Sequence, residues 1–180
     1  MRTLISAIVL FAAQAAYADC PSPHDISEEE ARLLAHIQEA ENEMAARTVS
    51  SELWSLWTKA PDEPAQSLLD RGMSARSSWD FLAALEALDR LVEYCPEYAE
   101  GYNQRAFVNF LREDFAAALV DLDKALERHP THFAAMSGKA LTLMGLGRHD
   151  EAQEVLRAAL KLNPWLPERG YLVEPKGEDL

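Results

Sequence analysis

The chain has little cysteine, little glycine and few basic residues, and each shortage excludes something. Two cysteines in 180 residues are too few for a disulfide scaffold or a cysteine-rich zinc site. Seven glycines and nine prolines, without a short period, exclude collagen-like and low-complexity chains. Lys and Arg number 17 against 30 Asp and Glu, a formal charge of −13. Nucleic acid and anionic membrane both require a basic surface, so neither is an expected partner. No apolar run approaches the 18 residues of a membrane span. No G-x-S-x-G, P-loop or H-E-x-x-H pattern occurs, and neither catalytic residues nor a cofactor are expected. His129 and His132 flank Pro130-Thr131 in a turn, but without Cys or a nearby Asp they make no metal site. Gly145-Leu-Gly147 has no strand before it and reads as a turn between helices. Asp121 and Asp123 read as part of a solvated helix face.

What remains is 48% apolar residues, enough for a globular core. The first 18 residues stand apart. Met1-Arg2-Thr3 is a short basic start, Leu4 to Ala16 is uncharged and mostly apolar, and Ala16-Tyr17-Ala18 has the small-x-small pattern of a cleavage site. This predicts a secretory signal over 1–18, cut after Ala18, and a periplasmic or secreted mature chain without membrane insertion. The apolar run is too short to span ~30 Å of hydrocarbon comfortably. A lipidated Cys20 fits less well, because Tyr17 and Asp19 are unusual beside such a site. Export would put Cys20 and Cys95 in an oxidising compartment, where a disulfide is expected. The alternative is two unpaired thiols, with Cys95 buried as a small apolar residue.

Residues 19–27 form a linker, with Pro21 and Pro23 blocking regular structure. Ser27 with Glu30 reads as a capping box. Leu33, Leu34, Ile37, Ala40 and Met44 then predict an amphipathic helix over 28–44. A second helix follows over 50–59, with Leu53, Trp54, Leu56 and Trp57 as its apolar face and Pro61 and Pro64 beyond its end. Trp54 and Trp57 share one face and read as core rather than as a ligand-stacking pair.

From Ala65 onward the sequence repeats every 34 residues. Pro96, Pro130 and Pro164 are so spaced, as are Ala84, Ala118 and Ala152, and Leu88, Leu122 and Leu156. Gly72, Ala106 and Ala140 make a fourth series, and Leu68, Tyr102 and Met136 a fifth. The pattern resembles the tetratricopeptide repeat family, built from helix–turn–helix units of this length. The units are 65–98, 99–132 and 133–166, together 102 residues. The segment 28–64 falls in the same frame and reads as a degenerate N-terminal pair acting as a cap. The resemblance implies an all-α fold, a short right-handed solenoid of stacked antiparallel helix pairs. Residues 167–180 form a tail without helical periodicity. Trp165, Tyr171 and Leu172 could fold over the last open apolar face; otherwise a partner would cover it.

The resemblance also implies a concave groove lined by the first helix of each unit. The matching positions are Leu69, Met73, Arg76, Asn103, Phe107, Phe110, Leu111, Ser137, Leu141 and Met144. Family members that clamp a terminal carboxylate carry Lys and Asn at the fifth and ninth positions. Those positions here hold Leu69 and Met73, Asn103 and Phe107, Ser137 and Leu141, so no such clamp is expected. A mostly apolar groove suits an apolar or amphipathic segment. Arg71, Arg105 and Lys139 stand where the family usually has Leu. They read as partners of the chain's own carboxylates rather than as a ladder for an acidic ligand. The expected function is a non-catalytic adaptor in the bacterial periplasm, holding a peptide or helix of a partner protein, in envelope assembly or exported-protein maturation. Its rivals are self-association into a homodimer through open array ends and an enzyme with an unfamiliar site around His129 and His132.

Overall fold

The computed structural model describes residues 19–173. The signal segment 1–18, its cut after Ala18 and residues 174–180 of the tail lie outside them. Eight α-helices follow one another: α1 Ser27–Gln38, α2 Glu43–Trp57, α3 Glu63–Ser77, α4 Phe81–Tyr94, α5 Ala99–Leu111, α6 Phe115–Arg128, α7 Phe133–Gly145 and α8 His149–Leu162. A 3-10 helix, Pro167–Tyr171, comes last, and no strand occurs among the described residues. None of these helices is long and apolar enough to cross a membrane.

Helices α3 to α8 form three antiparallel pairs, each packed on the next. Equivalent residues do equivalent work in each pair. Asp80 and Asp114, one period apart, cap α4 and α6 by accepting from the Ala83 and Ala117 amides. Ala84, Ala118 and Ala152 are fully buried where two helices approach closely. At Gly72 the approach is closer still, since a Cβ there would lie 2.6 Å from Leu88 Cγ. The turn inside each pair needs one left-handed residue: Trp79 (φ 63°), Glu113 (φ 60°) and Gly147 (φ 73°). Only the third pair meets that need with glycine, which adopts this conformation at no steric cost.

The N-terminal pair departs from its expected form in three ways. First, the break between its helices comes earlier. α1 ends at Gln38, and Asn42 caps α2 by accepting from the Ala45 amide, so Met44 belongs to α2 and is exposed. Second, Ser27 and Glu30 form no capping box. The Ser27 hydroxyl donates to Asp25, and Glu30 turns inward and is buried. Third, the pair does not stack on α3 as one more layer. Its main partner, beyond its own two helices, is the last repeat: α1 packs on α8. Leu33, Leu34, Ile37, Leu53 and Trp57 share one apolar cluster with Phe133, Ala159 and Leu166.

The chain thus folds back, and α2 runs along the row of turns that join one repeat to the next. Fifteen residues at ~1.5 Å per residue reach about 22 Å, enough to pass several turns. Each turn holds the N-terminal segment at the same two repeat positions. At the first turn, Cys95 is disulfide-bonded to Cys20, with Cα atoms 5.1 Å apart, and Tyr98 Oη donates to the Trp57 carbonyl at 2.8 Å. At the second, His129 Nε2 meets Glu30 at 2.7 Å, and His132 stacks on Trp57 with centroids 4.0 Å apart. At the third, Asn163 Nδ2 donates to Ser50 Oγ at 3.4 Å, and Leu166 joins the shared cluster. Beyond it, Arg169 pairs with Glu43 at 3.0 Å. The tail segment meanwhile lies along α8, where Gln153 exchanges hydrogen bonds with the Tyr171 carbonyl and the Val173 amide.

Candidate partner-binding groove

A cavity of about 300 Å³ opens between α5 and α7. Five of the ten expected groove residues line it: Asn103, Phe107, Phe110, Ser137 and Leu141. Residues beyond the three repeats add to the wall: Trp54 from α2, and Pro167 and Glu168 from the 3-10 helix. The other five lie elsewhere. Leu69 is fully buried in the core between α3 and α4, and Met73 packs against that core, so neither faces the groove. Arg76 lies at the rim. Its guanidinium sits 4.5 Å from the Phe107 ring centroid and donates to Gln104 Oε1. Leu111 and Met144 are half-buried and do not line the cavity.

The two tryptophans separate. Trp57 is buried in the hairpin's anchor, as expected of core. Trp54 is 37% exposed and forms groove wall, contrary to its reading as core. Phe107 is the most open aromatic in the groove, at 45% exposure.

A buried polar network holds the groove floor. Glu100 is 1% exposed and accepts from Asn103 Nδ2 at 3.1 Å, from Gln104 Nε2, and from His132 Nε2 at 2.8 Å. His132 Nδ1 accepts from the Ala135 amide, capping α7 and leaving Nε2–H to face Glu100. These bonds hold Asn103 in place and engage one of its two amide N–H donors. The network meets the hairpin anchor through the stack of His132 on Trp57, and there Glu30 accepts from Trp57 Nε1 at 3.0 Å and from Thr131 at 3.2 Å. Burial raises the Glu30 carboxyl, but hydrogen bonding and charge from His129, with help from Trp57 and Thr131, outweigh it and hold it below the ordinary carboxylate value. His129 and His132 are therefore structural pins. Among the described residues no cluster of three His, Cys, Asp or Glu side chains is arranged for a metal.

Two of the three basic residues face the chain's own acids, whereas Arg71 is exposed and makes no ion pair among the described residues. Arg105 makes a two-pronged pair with Asp121, at 2.8 and 2.6 Å, and reaches Asp89 at 2.9 Å; Lys139 pairs with Asp123 at 2.6 Å. Hydrogen bonding to Asp121 outweighs burial and pushes the Arg105 guanidinium upward. Asp121 is 3% exposed, so the pair is a structural strut. Replacing Arg105 by Leu should destabilise the fold by about 2–3 kcal/mol, because Asp121 is left buried and unpaired. Arg105→Leu combined with Asp121→Leu should recover most of that loss. Urea denaturation of the two variants decides this; a stabilised single variant would contradict it.

Residues 110–165 match the family described as Tetratricopeptide repeat. The helix pairs form a tetratricopeptide repeat solenoid. A tetratricopeptide repeat-containing protein of Rhizobium etli is 29% identical over 102 residues, covering 57% of this chain and 50% of the relative. The chain therefore spans half of that protein's length. The TPR2B domain of yeast Sti1, solved as a complex with pHsp70, is 27% identical with a TM-score of 0.54, over 55% of this chain and 79% of that domain. The first tetratricopeptide domain of Spaghetti (RPAP3), bound to the HSP90 peptide SRMEEVD, shares the fold at 20% identity and a TM-score of 0.58, over 59% of this chain and 85% of that one. Trp54 falls in the repeat frame but on the second helix of its pair, and Glu168 lies beyond the last repeat, so neither occupies a first-helix groove position.

Proposed function

We propose that this tetratricopeptide solenoid is a non-catalytic adaptor that binds a segment of a partner protein in its concave groove. The observation that carries this reading is the cavity between α5 and α7, apolar on most of its wall and with Phe107 open to solvent. Exposed aromatic patches of this kind mark interaction surfaces. The structures of Sti1 and RPAP3 domains with their peptides lend the reading support by analogy of fold.

The same proposal places the protein outside the cytoplasm, in the periplasm or secreted, and assigns it to envelope assembly or the maturation of exported proteins. The signal-like start of the sequence supports this. The Cys20–Cys95 disulfide does too, since such bonds persist in oxidising compartments. Self-association through open ends has less to build on, because the N-terminal hairpin covers the apolar end of the third repeat.

The test is a crosslinking pull-down from the exported fraction with residues 19–180 as bait. A Phe107→Ala, Phe110→Ala double variant of unchanged helicity serves beside it. The expected result is a partner captured by the parent and lost in the variant. Capture that ignores the double substitution would refute groove binding, and a mass that grows with concentration would favour the homodimer.

A further inference from the structure

We propose that the groove pocket selects a partner segment that sets an apolar side chain beside a basic one, with Glu168 reading the charge. This rests on the groove-binding reading above and names the chemistry of what binds.

The polar atoms at the cavity carry the argument. Ser137 Oγ, Thr142 Oγ1 and Glu168 Oε2 are all buried, and among the described residues none has a hydrogen-bond partner. Ser137 is 5% exposed and Thr142 fully buried. All three residues line the one cavity. Buried polar atoms left without partners cost folding free energy, most of all when charged. Their residues share the lining of one cavity, and Glu168 as a whole is half-buried, so a segment that enters and shifts their cover can give them partners. A hydroxyl can donate or accept, whereas a carboxylate oxygen only accepts. The set therefore calls for a donor, and at Glu168 for a cationic one.

Among the described residues no basic side chain meets that call, and the buried Trp165 Nε1–H, three residues before Glu168, is itself unpartnered. Among the described residues Glu168 is the only charged one lining the cavity. Its neighbour Arg169 is committed to Glu43 at 3.0 Å and to the carbonyls of Trp165 and Leu166. Arg76, at the far rim, is committed to the Phe107 ring and Gln104. The rest of the wall welcomes such a ligand. Trp54, Phe107 and Phe110 offer ring faces to an apolar group or to the stem and head of a lysine or arginine. The excess of 30 acidic over 17 basic residues steers basic segments toward the chain at long range. The acidic peptide seen on RPAP3 is of the opposite kind, and a pocket with one carboxylate and no cation disfavours it.

The test uses fluorescein-labelled peptides of sequence Gly-Ala-X-Leu-Tyr-X-Ala-Gly with X as Lys, Gln or Glu, together with SRMEEVD. Each is titrated by anisotropy against oxidised residues 19–180, and against the Glu168→Gln and Phe107→Ala variants. The Lys peptide should bind about tenfold more tightly than the Gln peptide, with the Glu peptide and SRMEEVD weakest. Glu168→Gln should abolish most of the Lys-over-Gln preference. That double difference matters, because general acidity would favour any lysine peptide equally on both proteins. If all three peptides bind alike, or the preference survives Glu168→Gln, while Phe107→Ala still removes binding, the charge selection is wrong and groove binding stands. If no peptide binds, or Phe107→Ala changes nothing, groove binding falls and this inference with it.

Discussion

Replacing Trp57 with alanine should lower the unfolding free energy by about 4 kcal/mol, as expected for truncating a large buried aromatic side chain. Trp57 is 4% exposed. Its ring stacks on His132 at 4.0 Å and meets the Phe133 ring edge-on at 5.0 Å. Its Nε1–H also donates to Glu30, which is itself buried. Truncation would open a cavity at the joint between hairpin and repeats and weaken the anchoring of a buried carboxylate. Trp57→Phe keeps most of the packing and loses the donor, so it should cost about 1–2 kcal/mol. Urea denaturation measures both. A loss below about 1 kcal/mol for the alanine variant would mean that the hairpin is not anchored there.

Removing the disulfide should cost nearly as much by a different route. Cys20 and Cys95 are 75 residues apart. On the chain-entropy view, a loop of that size contributes roughly 4 kcal/mol by restricting the unfolded chain. The Cys20→Ser, Cys95→Ser double variant, or the parent under reductant, should keep its helical signal at room temperature and unfold at markedly lower urea. Cys95 is 2% exposed, so the single Cys20→Ser variant should keep that site filled by the free thiol and isolate the loss of the crosslink. Equal midpoints with and without reductant would refute the contribution. The tryptophan and cysteine effects should add to less than their sum, because both act on the attachment of one hairpin.

The repeats were legible in the sequence because their logic is local and recurs. Ala84, Ala118 and Ala152 mark close helix crossings whatever lies elsewhere in the chain, and all are fully buried. The placement of the first helix pair was not legible in that way. Leu34, Ser50, Trp54 and Trp57 fit the repeat frame, which identifies a helix pair but not its neighbour. The neighbour is set by contacts across up to 126 residues, the separation of Glu43 and Arg169. A trace of it existed. At two turn positions the repeats stop resembling one another, with Cys95, His129 and Asn163 at one and Tyr98, His132 and Leu166 at the other. Each of these residues touches the N-terminal segment. Half of the groove followed from the repeat frame. Leu69 and Met73 did not, because the first repeat has no preceding layer and α3 turns these residues into its own core.

The return of the hairpin to the last repeat also orders events in time. A linear array can fold unit by unit as it is synthesised, each unit needing only the one before. Here Glu30 is made 99 residues before His129, the turn residue that holds it. At about 5–20 residues per second the hairpin waits roughly 5–20 s for its docking surface. The first helices to be made are thus the last to settle, and until then Trp57 and Leu53 have nothing to cover them. Once docked, they join the two ends of the array, which then has no free terminal repeat from which to fray.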